Sequence, residues 1–165
     1  MTDEPPPERN ISDDQYGSNT GFNPSGDNPL EQLREHAAEH PLIDEMGITF
    51  ESFEDGTLRA SIPHNDQWSN PGMEGALHGG MVVAYLDTVM GFTIMASVAD
   101  QPLTSGPTIN LNTNFLSPAN DALFATGEIV RTGASSAVVD GTLENADTGE
   151  AVATAQGVWR VYTDD

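Results

Sequence analysis

The run from Gly79 to Ala99 limits the possible folds of this chain more than any other part of its sequence. Its side chains are apolar or small on every side of a helix, a pattern that is typical of a helix buried all round. Asp87 is the only charged residue in the run. An isolated carboxylate is costly to remove from water, so such a group is usually paired, neutralised or retained for function. The sequence therefore predicts a buried central helix that carries a functional acid.

The predicted helix begins with His78-Gly79-Gly80. The first amides of a helix have no partner inside it, glycine lets another molecule approach the backbone, and the helix dipole favours a developing negative charge. Asp87 lies ~10.5 Å of axial rise beyond Gly80, so one helix cannot present both groups to the same atom. Two antiparallel copies of the helix across a two-fold axis could do so. The spacing therefore predicts an active site shared between subunits of a dimer or tetramer.

The charge of the chain excludes several classes of partner. Its 165 residues include 26 acidic side chains against five basic ones, all arginine, for a net charge of −21. Such a surface repels nucleic acid and anionic membranes, because phosphate binding needs clustered cations. We interpret it as a halophilic surface whose self-repulsion is screened by concentrated salt, and we expect low salt to destabilise the fold. The absence of cysteine excludes disulfides and cysteine metal sites.

The apolar run is long enough to raise the question of a membrane span, which takes about 18 residues or more. However, Asp87 lies near its middle, and no cation between Arg59 and Arg131 could anchor either end, so no span is predicted. No basic segment followed by an apolar one opens the sequence, which makes the cytoplasm the expected location. Residues 1–28 have the composition of a disordered acidic tail, followed by one domain at residues 29–165.

A short helix is expected before the sheet begins. Asn28-Pro29 is typical of a helix start, and Pro41 would stop the helix after Glu39. The residues from His36 to His40 match the H-x-x-E-H zinc pattern. They lie in a last turn that Pro41 disturbs, no third ligand is identifiable downstream, and the helix dipole alone favours histidine there. We therefore predict no metal site.

The rest of the chain has the alternation and turns of an antiparallel sheet. After a turn at 44–47, Asp55-Gly56 predicts a hairpin between strands at 48–54 and 57–62. A long polar loop at 63–76 could shape a pocket beside the helix. Four further strands are predicted at residues 108–115, 122–131, 135–145 and 151–162, the last three as an antiparallel meander.

The last strand has small residues on one face, which are expected to leave room for the bulky helix. They are Ala151, Ala153, Ala155 and Gly157. A curved antiparallel sheet around the helix, with a second subunit over the remaining side, is the simplest way to bury it. The sequence therefore predicts an α+β hotdog fold.

Three motifs resemble those of hotdog-fold acyl-CoA thioesterases of the PaaI-type branch. They are His78-Gly79-Gly80 followed by Asp87, the Asn-Phe-Leu-Ser-Pro segment at 114–118, and the Gly-Glu-Ala-Val-Ala segment at 149–153. The resemblance covers about residues 36 to 162. It implies an enzyme that hydrolyses an acyl- or aryl-acyl-CoA to free acid and coenzyme A, with no cofactor apart from the coenzyme A of its substrate.

The resemblance also implies roles for residues of the helix start and beyond. The amide of Gly79 polarises the thioester carbonyl, and one such donor can be worth ~10²- to 10³-fold in rate. Gly80, the next residue, contacts the substrate. Asp87 of the neighbouring subunit acts as general base on water or as nucleophile. His78 matches a residue that holds the helix start and the substrate, although it could be only a helix cap. Thr108 matches one that positions water, although it could be an ordinary strand residue.

Other matching residues imply contacts with the rest of the substrate. Asn70 is similar to an Asn or Gln that precedes His-Gly-Gly in the family. Arg131 stands at the turn where the family binds the coenzyme A phosphates, together with Gly133 and Ser135. Relatives often carry a second cation where Ala134 stands here, which implies weaker or salt-tolerant nucleotide binding.

Two other functions fit parts of this sequence. A hotdog hydratase or dehydratase acting on enoyl- or hydroxyacyl-CoA needs a histidine and a carboxylate, for which His78 and Asp87 could serve. A non-catalytic acyl-CoA-binding protein needs neither. The spacing of Asp87 from the Gly-Gly helix start favours hydrolysis.

Overall fold

The computed structural model describes residues 28–99, 101 and 103–163, so the tail predicted at 1–28 lies, apart from Asn28, outside the described residues. The described part of the chain forms three α-helices, a short 3₁₀ turn at Asp66–Trp68 and six strands. The helices are α1 (Pro29–Glu39), α2 (Pro41–Met46) and α3 (Gly79–Val98). The strands are β1 (Thr49–Glu54), β2 (Thr57–Ile62), β3 (Leu103–Phe115), β4 (Leu123–Thr132), β5 (Ser136–Asn145) and β6 (Ala151–Thr163).

The strands form one antiparallel sheet in the order β1-β2-β4-β5-β6-β3. Helix α3 packs against β2, β3, β4, β5 and β6, and α1 packs against β1 and α3. Tyr85, Leu86 and Met90 of α3 are fully buried in the core between helix and sheet. The predicted hotdog fold, an antiparallel sheet around one long helix, is confirmed.

By length and composition α3 could cross a membrane, but 56% of its most apolar window is buried inside the fold. It is the core helix of the domain, as predicted. One stripe of the helix nevertheless remains uncovered within a single chain. The stripe consists of half-buried or exposed positions at helical spacing, namely Gly80, Ala84, Asp87, Gly91 and Met95.

Local start and turn signals place the first elements as predicted, with one exception. The side chain of Asn28 accepts a hydrogen bond from the amide of Glu31 and caps α1. Asp55 and Gly56 have positive φ angles of 50° and 77°, which form the predicted hairpin turn. The turn expected at 44–47 is present, since the amide of Gly47 donates to the carbonyl oxygen of Asp44, but it ends a helix that was not predicted. Pro41 begins this helix, α2, because proline is compatible with a first helical position, and left-handed Gly47 ends it.

Strand β3 begins at Leu103, five residues before the predicted start, and lies at the edge of the sheet beside β6. The meander of β4, β5 and β6 is confirmed. The chain crosses from β3 to β4 without pairing them. Strand pairing at long range is a property of the whole sheet, and no local pattern in β3 specifies it.

Helix α3 comes closest to the sheet at glycines of the central strands. Gly127 of β4 pairs with Gly141 of β5, which pairs with Ala155 of β6. Methyl groups added at either glycine would meet α3 side chains, whereas one added at Gly157 would meet Trp159 and the side chain of Leu111 in β3. The predicted room for the helix therefore lies mainly on β4 and β5, and the last strand contributes Ala155 to the same row.

We expect Gly127→Ala to lower the free energy of unfolding by ~1–3 kcal/mol, because overpacking a close-packed interior is destabilising. The added methyl would overlap the buried side chain of Thr93 and lie 3.4 Å from the Cα atom of Met90. Denaturant unfolding in molar salt measures the change. In a Thr93→Ala background the same substitution should cost less, which a double-mutant cycle detects. An equal cost in both backgrounds would show that Thr93 is not the obstacle.

Candidate active site

Asp87 lies on the uncovered stripe of α3 and is half-buried. Its Oδ1 accepts a hydrogen bond of 2.8 Å from the hydroxyl of Thr108 in β3. In the described part of the chain no other hydrogen bond or ion pair engages the carboxylate. The Thr108 hydroxyl thus orients Asp87 and leaves Oδ2 available to a water molecule or a substrate.

Strand β3 brings Thr108 to Asp87 through an irregularity in its pairing. Three residue steps on β3, from Ser105 to Thr108, lie opposite two steps on β6, from Val161 to Trp159. One extra residue on a strand is a β-bulge, which turns side chains three apart to the same face. Pro107 lies in the bulge, where an edge strand tolerates proline.

The amide of Gly79 is left free by the cap of α3. His78 caps the helix, because its Nδ1 accepts a hydrogen bond of 2.9 Å from the amide of Gly80. The carbonyl oxygen of His78 accepts from the amides of Met81 and Val82. Among the residues that the structure describes, none accepts from the amide of Gly79. One backbone donor therefore remains available at the helix N-terminus, where the dipole favours negative charge.

A cavity of about 350 Å³ lies beside this free amide. Asn70 lines it, and the Asn70 side chain donates a hydrogen bond of 3.4 Å to the carbonyl oxygen of Leu77. The exposed ring of Phe115 lines the same cavity, with Cε1 3.4 Å from the position of a Cβ at Gly79. Asn70 and Gly79 are thus brought together, as the sequence predicts for the substrate site.

A second cavity of about 340 Å³ adjoins Asp87 and Thr108. It shares no lining residue with the cavity beside Gly79. One chain therefore carries the free amide and the acid in separate cavities, as the axial rise of the helix requires.

The predicted nucleotide contacts lie at the turn between β4 and β5. Arg131 is exposed, the amide of Gly133 donates to Ser136, and the carbonyl oxygen of Ser135 accepts from Val161. No carboxylate within the described ranges forms an ion pair with Arg131.

The strand register relates this turn to the acid. Thr108, Trp159, Ala137 and Thr132 form one row across four neighbouring strands. Three strand spacings separate the ends of the row, ~14 Å. The turn lies at the end of β6 away from Gly79, because Ser136 pairs with Arg160 whereas Phe115, which contacts Gly79, pairs with Ala153. Within one chain, the turn between β4 and β5 therefore lies nearer to Asp87 than to Gly79.

Sequence reasoning missed three further residues of the cavity beside Asp87. His36, His40 and Ser105 line it. Burial, followed by the proximity of His40, lowers the pKa of His36, whose ring packs 5.9 Å from that of Phe92. Within residues 28–99, 101 and 103–163 no group of three metal-ligating side chains could hold a metal ion. The H-x-x-E-H pattern marked this helix turn, but its position in a cavity was not visible from the sequence.

Comparison with known proteins gives a family and a fold. The model of the thioesterase superfamily matches residues 74–152. A Halobacterium salinarum protein, named provisionally as an esterase, is 31% identical over 152 residues, which cover 88% of this chain and 99% of the relative. A mutant thioesterase from Pseudomonas aeruginosa is 27% identical with a TM-score of 0.69, over 81% of this chain and 94% of that one. A thioesterase from Haemophilus influenzae shares the fold, with 19% identity and a TM-score of 0.72 over 87% of this chain and 96% of that one.

Proposed function

Because this chain belongs to the thioesterase superfamily and is a thioester hydrolase, we propose that it cleaves acyl thioesters of coenzyme A at a site formed by two subunits. The observation that supports this proposal most strongly is that α3 carries the two reacting groups at separate places. The free amide of Gly79 and the oriented carboxylate of Asp87 lie in separate cavities of one chain. A second copy of the helix can supply to each cavity the group that it lacks.

The uncovered stripe of α3 supports this arrangement. If Gly79 of one subunit faces Asp87 of the other across antiparallel helices, the two-fold axis passes near residue 83, midway between them. Val83 and Ala84 at this position are half-buried within one chain, so a second helix could cover them. The small residues Gly80 and Ala84 close to the axis allow two helices to approach closely.

The edge of the sheet supports the same pairing of subunits. Strand β3 is 13 residues long and has no neighbour on its outer side in one chain. Long edge strands with unpaired backbone groups tend to pair with another chain. Ile109 of β3 is also 57% exposed. Pairing of β3 with β3 of a second subunit would cover this edge and extend the sheet.

In the proposed reaction the carbonyl oxygen of the thioester accepts a hydrogen bond from the amide of Gly79. Asp87 of the partner takes a proton from water as the water oxygen attacks the carbonyl carbon, or attacks that carbon itself. Negative charge that develops on the carbonyl oxygen is stabilised by the amide and the helix dipole. The C–S bond then breaks, and the thiolate of coenzyme A leaves and takes up a proton. Where water attacked, the product is the free acid. Where Asp87 attacked, the acyl group is left as a mixed anhydride with its carboxylate, and a water molecule then cleaves this anhydride, which releases the acid and restores Asp87.

The turn at Arg131 is the proposed contact for the phosphates of coenzyme A. Thr132, the neighbour of Arg131, lies ~14 Å from Thr108 along the row of paired residues, a distance that leaves space for an extended arm between phosphate and thioester. The amide of Gly133 already donates to Ser136, so the amide and the hydroxyl of Ser135 would supply the further donors. Since exposed single contacts with phosphate are screened by salt, we propose that they contribute little to affinity in concentrated salt.

A hydratase is supported less well than a hydrolase. Such an enzyme needs an imidazole that exchanges protons with the substrate. The Nδ1 atom of His78 is already the acceptor that caps α3, so only Nε2, which carries the proton in that tautomer, remains for a substrate. His78 is better suited to hold the helix start.

Release of free thiol from a panel of acyl-CoAs tests the proposed function. The panel consists of acetyl-, hexanoyl-, decanoyl- and phenylacetyl-CoA, incubated with the purified protein in molar salt. We expect a thiol-reactive dye to report turnover, and mass spectrometry to find free acid in equal amount. A hydrated acyl-CoA without free thiol would support the hydratase instead. Tight binding of acyl-CoA without any product would support the non-catalytic alternative.

A further inference from the structure

Ser105 is a buried polar residue that the proposed reaction does not use. It is only 7% exposed, and its Oγ has no hydrogen-bond partner in the described structure. A buried hydroxyl without a partner destabilises the free protein, so its presence needs an explanation. Ser105 lines the cavity that adjoins Asp87 and Thr108. The bulge in β3 turns Ser105 and Thr108 to the same side of the sheet.

The other walls of this cavity identify which part of the substrate would enter it. Phe92 and Met95 of α3 and Trp159 of β6 form apolar walls, and His36 of α1 and His40, which follows that helix, also line the cavity. No arginine lines the cavity, and the chain has no lysine. The phosphates of coenzyme A would find no cation here. The acyl group, which is linked directly to the carbonyl carbon beside Asp87, is therefore the part that fits.

We propose that this cavity receives the acyl chain and that Ser105 selects acyl groups with an uncharged hydroxyl substituent. The inference rests on the proposed function. The Oγ of Ser105 is closed off in the free protein, and rotation about the Cα–Cβ bond would turn the hydroxyl into the cavity, where it would donate to, or accept from, the substituent. Hydrogen-bonding sites discriminate strongly against analogues that lack the bonding group, because the buried polar group of the site is then left unpaired.

Electrostatics favours an uncharged substituent over a carboxylate. Asp87 lies in the same cavity, and the chain carries a net charge of −21. Burial, and then the neighbouring His40, lowers the pKa of His36, so this imidazole is neutral near pH 7 and offers no positive charge. No arginine or lysine lines the cavity, so a terminal carboxylate on the acyl chain would meet the charge of Asp87 without a permanent cation to offset it.

The position of Ser105 sets the distance of the substituent from the thioester. Ser105 precedes Thr108 by three residues, but the bulge sets these opposite only two residue steps of β6, ~7 Å along the sheet. With a hydrogen bond at each end, the carbonyl carbon and the substituent oxygen are then roughly 5–8 Å apart. A hydroxyl at the end of a six-carbon acyl chain lies in this range.

The experiment compares kcat/KM for hexanoyl-CoA, 6-hydroxyhexanoyl-CoA and adipoyl-CoA, which differ only at the end of the chain. We expect the wild-type enzyme to prefer the hydroxylated substrate over hexanoyl-CoA by about tenfold, the value of one hydrogen bond at the upper end of its usual range. Ser105→Ala should reduce the preference to about one by slowing only the hydroxylated substrate. Its Tm should stay equal or rise, because an unpartnered buried hydroxyl has been removed.

Thr113→Val is the matched control. Thr113 also has a buried hydroxyl without a partner on β3, but it does not line this cavity. The control should keep the wild-type preference. Equal slowing of hexanoyl- and 6-hydroxyhexanoyl-CoA by Ser105→Ala would overturn the inference, as would faster turnover of adipoyl-CoA than of either. If the wild-type enzyme hydrolysed hexanoyl-CoA and 6-hydroxyhexanoyl-CoA equally fast, only the role of Ser105 would be overturned. If no substrate released thiol, the proposed function would be overturned as well.

Discussion

Asp87→Asn is expected to lower kcat for acyl-CoA hydrolysis by about 10²- to 10⁴-fold, the usual contribution of a positioned general base. Asparagine keeps the size of the side chain and can still accept the hydrogen bond from Thr108 through its amide oxygen. It cannot take a proton from water, and it is a poor nucleophile. KM should change little, since the substitution leaves the acyl cavity and the turn at Arg131 intact. Thiol release under saturating substrate measures the loss.

Thr108→Val is the companion variant for this prediction. It removes the hydroxyl that orients Asp87 but keeps the acid, so a smaller loss of about tenfold is expected, in proportion to one hydrogen bond. Gel filtration and circular dichroism should find both variants folded like the wild type. Retention of a tenth or more of the wild-type kcat by folded Asp87→Asn would contradict the role of Asp87 as the reacting acid. A larger loss for Thr108→Val than for Asp87→Asn would assign the chemistry to Thr108.

Features that depend on a few neighbouring residues could be predicted from the sequence. Asn28 and His78 cap their helices. Each side chain accepts a hydrogen bond from a backbone amide only two or three residues further along the chain. Asp55-Gly56 forms the hairpin because these residue types tolerate positive φ. The central helix and its lone acid were predictable for the same reason, since amphipathic or all-apolar periodicity is a local property of a helix.

Features that depend on pairing at long range could not be predicted in this way. The position of β3 beside β6 is decided by the whole sheet. Strict alternation would place Ser105 and Thr108 on opposite faces, because side chains three residues apart point apart on a regular strand. The bulge places them on the same face, and its register can be read only from the partner strand. This is why the sequence predicted Thr108 as a site residue but gave no sign of Ser105.

The cavity walls depend on the same kind of long-range contact. The helical turn with His36 and His40 was considered as a metal site because the residue spacing is a local pattern. Its position against Phe92 results from packing of α1 on α3, which no pattern within either helix specifies. Buried polar groups whose surroundings come from distant elements were thus the hardest part of the candidate site to predict.

Gly79→Pro tests the second half of the proposed chemistry and is expected to lower kcat by about 10²- to 10³-fold, the cost of one oxyanion donor. Proline removes the amide hydrogen and adds a ring of three carbon atoms in its place. Gly79 is the first residue of α3, a position that accepts proline, and the extended backbone of His78 (φ −60°, ψ 133°) is suited to precede it. Gly79→Ala is the matched control, because it adds a side chain near the exposed ring of Phe115 but keeps the amide. Equal losses for both would assign the effect to crowding.

Co-expression of Gly79→Pro and Asp87→Asn chains with different tags then tests whether the site is shared. If each site takes its amide from one subunit and its acid from the other, a mixed dimer contains one intact site and one that lacks both groups. Random pairing makes half of the dimers mixed, so about a quarter of the wild-type kcat per site should return, and purification through both tags should raise this to about a half. Activity that stays at the level of the parent variants in the doubly tagged dimer would mean that each chain completes its own site. That result would be incompatible with the separation of Gly79 and Asp87 into two cavities of one chain.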